Sequence, residues 1–175
     1  MSSLPSEYDR YTKAFHWVIA LVIFTEYISV WLIPEGTRGP NFLISYHMSF
    51  GVLVIALMLA RIVWRFYATI PAHPEGMPGW QVKASKWTHL TLYALIFIVP
   101  LTGWLWISAR GWHATIFGII QLPPLVSAQP AFASFLGNSH EAMGTLLLVI
   151  VGFHALAAFY HWIIVKDRVM QQMWP

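Results

Sequence analysis

Four stretches of this chain are apolar for about 20 residues or more, the helical length that the hydrocarbon core of a bilayer demands. They run roughly Thr12–Ile33, Asn41–Phe66, Trp87–Ser108 and Ser139–Val165. Inside a bilayer every backbone amide and carbonyl must bond within its own segment, so each stretch is predicted to be a helix. Of the 175 residues, 58% are hydrophobic and only 10% charged. A water-soluble domain of this length could not hide so much apolar surface. The expected fold is therefore all-α: an integral membrane four-helix bundle of up-down topology, one domain over residues 1–175.

The remaining composition narrows the chemistry. Without cysteine there are no disulfides, no thiolate zinc site and no iron–sulfur cluster. The net charge of +3 would suggest nucleic acid only if the basic residues clustered on a soluble face. They sit instead at the ends of the apolar runs. Arg10, Lys13, Arg61, Arg65, Lys83, Lys86, Lys166 and Arg168 fall on one side, and Arg38 and Arg110 on the other. Positive charge collects on the cytoplasmic side of membrane proteins, which predicts cytoplasmic termini. Trp17, Trp31, Trp64, Trp87, Trp104, Trp106, Trp112 and Trp162 lie near span ends, as an interfacial aromatic belt would. The opening "MSSLPSEYDRYTK" is polar and the run after it is too long for a signal-peptide core, so no cleaved leader is expected. The connector from Ala109 to Asn138 contains "IFGIIQLPPL", read as a short interfacial helix stopped by Pro123 and Pro124.

Histidines inside the spans are the chemically informative residues, because polar side chains at membrane depth are costly and usually functional. His140 and His154 are fourteen residues apart. At 100° per residue their directions differ by about 40°, and they stand about 21 Å apart along the axis. One metal cannot bridge that distance, but two stacked porphyrins, one toward each membrane surface, fit it. Each iron then needs a second imidazole at its own depth. Depth pairs His47 with His140 near the outer surface and His16 with His154 toward the cytoplasm. Neutral imidazole is a good iron ligand, and two of them saturate a haem iron, favouring electron transfer over oxygen binding. The alternative for any one of these residues is a hydrogen bond between helices.

Other residues have two readings each. Gly51 and Gly144 follow His47 and His140 by four residues; they either admit a flat macrocycle or serve close helix packing. Arg61 and Arg65 either neutralise haem propionates or obey the charge rule alone. His161 shares a face with His154 and either competes as a ligand or meets a propionate or a quinone; His89 is a second histidine near that surface, and either of the two is otherwise an ordinary interfacial histidine. His73 and His113 fall in connectors. Glu141 either supports the imidazole of His140 or caps a helix start. Glu26, the one mid-span acid, should face the bundle or a cavity and carry protons there.

Taken together, "YTKAFHWVIALVI", "SYHMSFGVLVIALMLARIVWR", "KWTHLTLYALIFIVPLTGW" with its Pro100 and Gly103, and "SHEAMGTLLLVIVGFHALAAFYHWIIVKD" resemble the bacterial cytochrome b561 family. That family belongs to a broader group including the cytochrome b subunits of nickel–iron hydrogenases. The resemblance covers nearly the whole chain. It implies a bundle holding two b haems, with His16, His47, His140 and His154 as the iron ligands. It also implies a multi-pass protein of the bacterial inner membrane that passes electrons across the bilayer and exchanges them with ubiquinone. Some members resemble superoxide oxidases, taking electrons at the outer face. Membrane lipid, quinone and a redox partner protein are the implied partners. Two rivals stand beside this reading: the membrane-anchor cytochrome of a larger dehydrogenase or hydrogenase-type complex, and a histidine-lined transporter without haem.

Overall fold

A computed structural model describes residues 5–34, 37, 41–74 and 76–175. Arg38, counted above among the outer charges, lies outside the described residues. Four long helices dominate: α1 (Arg10–Trp31), α2 (Phe42–Arg65), α3 (Gly79–Ala109) and α4 (Pro130–Tyr160). All four are long and apolar enough to cross a membrane. A two-stranded hairpin, β1 (Thr115–Ile116) and β2 (Ile120–Gln121), interrupts the α3–α4 connection. After α4 the chain takes one wider π-helical turn, His161–Val165, and closes with the short α5 (Val169–Met173).

Local chemistry explains where the helices begin. Asp9 caps α1, its carboxylate accepting the Tyr11 and Thr12 amides at 3.0 and 3.1 Å, and Asn41 caps α2 by accepting the Ile44 amide at 2.9 Å. Helices α3 and α4 start earlier than hydropathy predicts, at Gly79 and Pro130. In both cases the helix extends beyond the apolar stretch that the bilayer selects. A proline fits the first turn of α4 because its missing amide hydrogen would have no partner there.

The principal packed cluster joins Ile19, Val22 and Ile23 of α1, Val54 and Met58 of α2, and Leu92, Leu95 and Ile96 of α3. Helix α4 adds the buried Leu147, with the partly buried Met143, Ile150 and Val151 packed against the cluster. It lies along α3, and α1 lies along α2, while α1 and α4 hardly meet along their backbones. The chief link between those two is the Tyr27 hydroxyl, which donates to the Gly144 carbonyl at 2.7 Å. The bundle is therefore two helix pairs splayed along one seam. Large apolar side chains such as Leu21, Phe24, Phe153 and Leu156 stay exposed, as lipid-facing residues do.

The interfacial helix expected around "IFGIIQLPPL" is not formed. The turn joining β1 and β2 has Phe117 at φ 50° and Gly118 at φ 70°, and the Ile119 amide closes it onto the Ile116 carbonyl at 3.0 Å. Positive φ at both central residues is the type I′ geometry that reverses a hairpin, and it breaks a helix at that point. Buried Ser49 of α2 anchors the hairpin, accepting the Phe117 amide at 2.7 Å and donating to the Thr115 carbonyl at 3.1 Å. Ser108 accepts the Leu125 amide at 3.1 Å.

The opposite end of the bundle gathers both chain ends. The Tyr8 amide bonds the Gln172 carbonyl at 3.1 Å, the Trp17 indole donates to the Met173 carbonyl at 2.9 Å, and Gln172 reaches the Ala72 carbonyl at 2.8 Å. Hereafter these are the hairpin end and the termini end.

Candidate functional site

At the hairpin end, α2 and α4 bring His47 and His140 face to face, with ring centroids 6.0 Å apart. At the termini end, α1 and α4 bring His16 and His154 together at 6.2 Å. These are the two pairs that depth alone predicts, and α4 runs unbroken between them, so the spacing of about 21 Å along its axis holds. A metal–imidazole bond is about 2.0–2.1 Å and a ring centre lies about 1.1 Å behind its nitrogen, so two imidazoles gripping one metal stand about 6.3 Å apart. Both pairs match that separation.

The surroundings of the two pairs differ. The Nδ1 of His140 donates to the Val99 carbonyl at 2.9 Å, which leaves Nε2 as its free nitrogen. The ring fits there because residue 103 is glycine: a β-carbon at Gly103 would stand 2.9 Å from His140 Cε1 and 3.0 Å from Nδ1. One turn toward the helix start, Gly137 likewise receives the ring of Trp106, whose indole would meet a β-carbon at 2.9 Å. Helices α3 and α4 thus mesh ring into glycine at two successive turns. The Nδ1 of His47 lies 2.6 Å from Glu26 Oε2. That contact is an ion-pair approach and not a well-angled hydrogen bond, and Glu26 Oε1 is buried without a partner.

At the termini end His16 Nδ1 is buried with no hydrogen-bond partner. His89 closes on His154, with centroids 5.3 Å apart, and its Nδ1 is 3.3 Å from the Ser85 hydroxyl. Arg61 donates from Nε to the Tyr93 hydroxyl at 3.1 Å at this same end of the bundle. Arg65 turns elsewhere, its guanidinium 5.9 Å from the centre of the Tyr8 ring. His161 pairs with Asp167, Nδ1 to Oδ2 at 2.6 Å. Asp167 in turn accepts the Val169 amide at 2.9 Å, and Lys166 between them takes a left-handed conformation at φ 58°.

Other expectations resolve as follows. The space where a Gly144 side chain would go is open, while a β-carbon on Gly51 would meet Pro100 of α3 at 3.7 Å, an ordinary helix-packing distance. Glu141 is exposed and lies eleven residues into α4, so it cannot cap the start of that helix, and the partner of His140 is the Val99 carbonyl instead. His73 and His113 are exposed. The roles of Glu26, Val99 and Gly103 beside the histidines were not legible in the sequence. The mid-span acid and the glycine of "PLTGW" were visible, but what they face is decided by how α1 and α3 turn against their neighbours.

An open seam between α1 and α4, opposed imidazoles at two levels and an open Gly144 suit flat, nitrogen-ligated groups better than small ions. Among the described residues no cluster of three or more histidine, aspartate or glutamate side chains could hold a bare metal.

Comparison with known proteins agrees. The chain is 25% identical over 179 residues to cytochrome b561 homolog 2 of Escherichia coli K12, covering 98% of this chain and 93% of that one. It is 25% identical to cytochrome b561 homolog 1 of the same organism, over 95% of this chain and 98% of the relative. It is 28% identical to a probable superoxide oxidase of Yersinia pestis, with 91% of each chain covered. Residues 7–175 match the family described as prokaryotic cytochrome b561. Four membrane-capable helices and this family make the chain a multi-pass protein of the bacterial inner membrane with a role in electron transport, and a cytochrome b carries haem b. The chain belongs to the prokaryotic cytochrome b561 family.

Proposed function

We propose that the chain holds two b haems, one between His47 and His140 and one between His16 and His154, and conducts electrons between the two membrane surfaces. The observation that carries this reading is the pair of imidazole separations, 6.0 and 6.2 Å, at two levels of one continuous helix. The residues fit the group: each pair supplies imidazole nitrogens, His140 has its other nitrogen tied to a carbonyl, and helices α1 and α4 make few backbone contacts along a seam that is open at Gly144. When bound, haem supplies a one-electron centre whose iron is saturated by two imidazoles. The protein orients the imidazoles, excludes water with apolar helices and sets the distance between the two levels.

The termini end is the side proposed to face the cytoplasm, where Arg61 offers a counter-charge for propionates. Quinone reduction takes two electrons and two protons. The His161–Asp167 pair at that rim has the parts to relay the protons: an imidazole that can hold one and a carboxylate that fixes its orientation. Lys166 and His89 lie within the same region as further hydrogen-bond donors to a quinone carbonyl.

The relative from Yersinia pestis, named a probable superoxide oxidase, favours superoxide as the donor at the hairpin end. The balance closes: two superoxide ions lose one electron each and leave as dioxygen, and one quinone gains both electrons and two protons to become quinol. Among the described residues Arg110 is the cation available there, its guanidinium 4.0 Å from the centre of Trp112 and 5.6 Å from that of Trp106.

Pyridine haemochrome assay of the purified protein tests the cofactor count, with two haems per chain expected. A single haem, or none in haem-replete cells, overturns the reading. Stopped-flow mixing with superoxide and with quinol then tests the direction of flow. Rapid reduction by superoxide is expected, and reduction by quinol alone would assign the chain to quinol oxidation with another partner.

A further inference from the structure

Glu26 is an acid in the middle of a membrane helix, and nothing in the electron path just described uses it. It lies ten residues beyond His16 on α1, about 15 Å further along that helix, which carries it out of the termini-end site and up to the hairpin-end one. Its side chain is 12% exposed, and Oε2 rests 2.6 Å from His47 Nδ1. Oε1 is buried without a partner, and His47 is its one ion-pair contact among the described residues. A carboxyl group at this depth is costly unless it is paired. The structure offers it one pairing, at Nδ1 of His47.

The chemistry of that arrangement is specific. An imidazole whose second nitrogen lies against a carboxylate is biased toward one tautomer and one ring orientation, and it becomes a stronger electron donor through its other nitrogen. A stronger axial donor favours the ferric over the ferrous iron, and hydrogen bonding behind the ligand is one of the levers by which a protein tunes haem potential. The termini-end pair has the opposite surroundings. Among the described residues no carboxylate pairs with His16, and Arg61 lies at the same end of the bundle, bonded to the Tyr93 hydroxyl at 3.1 Å. A nearby cation favours the reduced, less positive centre.

Resting on the reading that His47 and His140 grip one haem, we propose that Glu26 is a positioning residue for His47 that makes the hairpin-end centre the lower-potential one, so that electrons run downhill toward the termini end. The sequence shows only an acid in an apolar run; its partner is set by the packing of α1 on α2.

Spectroelectrochemical titration of the purified holoprotein tests this. His140→Ala first identifies the hairpin-end centre as the haem it removes. In Glu26→Gln, both haems are expected to remain while the midpoint of that same centre rises, its low-spin ferric resonance shifts, and the other centre keeps its midpoint. Glu26→Asp should restore part of the shift. Two retained haems with unchanged midpoints in Glu26→Gln overturn the proposal, as does a shift confined to the other centre. Should Glu26→Gln come without the hairpin-end haem, redox-difference infrared spectra of the native protein and of Glu26→Asp decide. A carboxylate band perturbed on reduction of the lower-potential centre, and displaced in Asp, supports the proposal, and no such band overturns it. Retention of both haems in His140→Ala would sink the ligand assignment itself, an outcome distinct from failure of the Glu26 proposal.

Discussion

The two histidine pairs have nearly the same separation, yet they are built differently. At the hairpin end each ring has a neighbour behind it, Glu26 for His47 and the Val99 carbonyl for His140, and Gly103 leaves His140 a slot with no spare room. At the termini end His16 has an unpartnered nitrogen, a third imidazole crowds His154, and a cation sits nearby. Preorganisation of ligands by outer contacts is what fixes geometry before a metal arrives. The hairpin end is therefore a rigid receptor, and the termini end an adaptable one with alternatives in reach. On the proposed two-haem reading, the same contrast divides the tasks: a fixed, electron-rich centre would receive electrons, and a cationic end with proton-bearing side chains would deliver them.

Removing ligands should expose that difference most strongly. His140→Ala is expected to abolish the hairpin-end haem outright, about one of two per chain, because no other described imidazole adjoins His47. His16→Ala should instead leave partial occupancy, since His89 lies beside His154. Haem-to-protein ratio and the ferrous absorption band of each variant measure this. Equal and complete losses from both variants would erase the distinction between a rigid and an adaptable site.

Gly103→Ala probes the rigid side without touching a ligand. The added methyl would stand 2.9 Å from the His140 ring, a contact that the ring or the helix must yield to, at about 1–3 kcal/mol for overpacking of this kind. The hairpin-end haem should fall below full occupancy or broaden its low-spin signal, with the other haem unchanged. The matching change Gly51→Ala meets Pro100 at 3.7 Å and should be tolerated, so equal effects from the two would show that the His140 slot has slack.

His89→Ala sharpens the adaptable side. The 5.3 Å between His89 and His154 is shorter than the separation of two rings around a metal, so this variant should keep both haems while His16 remains. Loss of a haem in His89→Ala, with none lost in His16→Ala, would exchange the two assignments.

Much of this was legible in the sequence because membrane physics leaves few choices. Long apolar runs in a bilayer must be helices, and alternating helix direction then sets which histidines share a depth: His47 with His140, and His16 with His154, with His89 at that same level. What could not be read depends on rotation about helix axes. Whether Gly51 or Gly144 opens on space, and whether Glu26 faces His47 or lipid, changes with a few tens of degrees of turn while leaving the hydropathy pattern the same. The hairpin was misread for another reason. "IFGIIQLPPL" is apolar enough for an interfacial helix, and the deciding contacts, Ser49 to Phe117 and Thr115, come from a segment more than sixty residues earlier in the chain.

The smallest expected effect concerns how the adaptable end is held together. Asp9 caps α1 and also accepts the Trp64 indole of α2 at 3.0 Å, so one carboxylate ties together the two helices next to His16. Burial alone would raise this carboxyl group, but hydrogen bonds from the Thr12 hydroxyl and amide, the Trp64 indole and the Tyr11 amide outweigh it and hold it below its ordinary value. A group whose folded value is depressed stabilises the fold above its unfolded value of about 3.9 and loses that contribution as pH falls through the folded one. Asp9→Ala should cost about 1 kcal/mol, as helix-cap removals do. Thermal unfolding of the detergent-solubilised protein should show that gap at neutral pH and show it closing in acid below the ordinary carboxylate range. The loosening should reach the His16–His154 haem before the hairpin-end one. If acid releases the hairpin-end haem first, Asp9 is not what sets the relative firmness of the two ends.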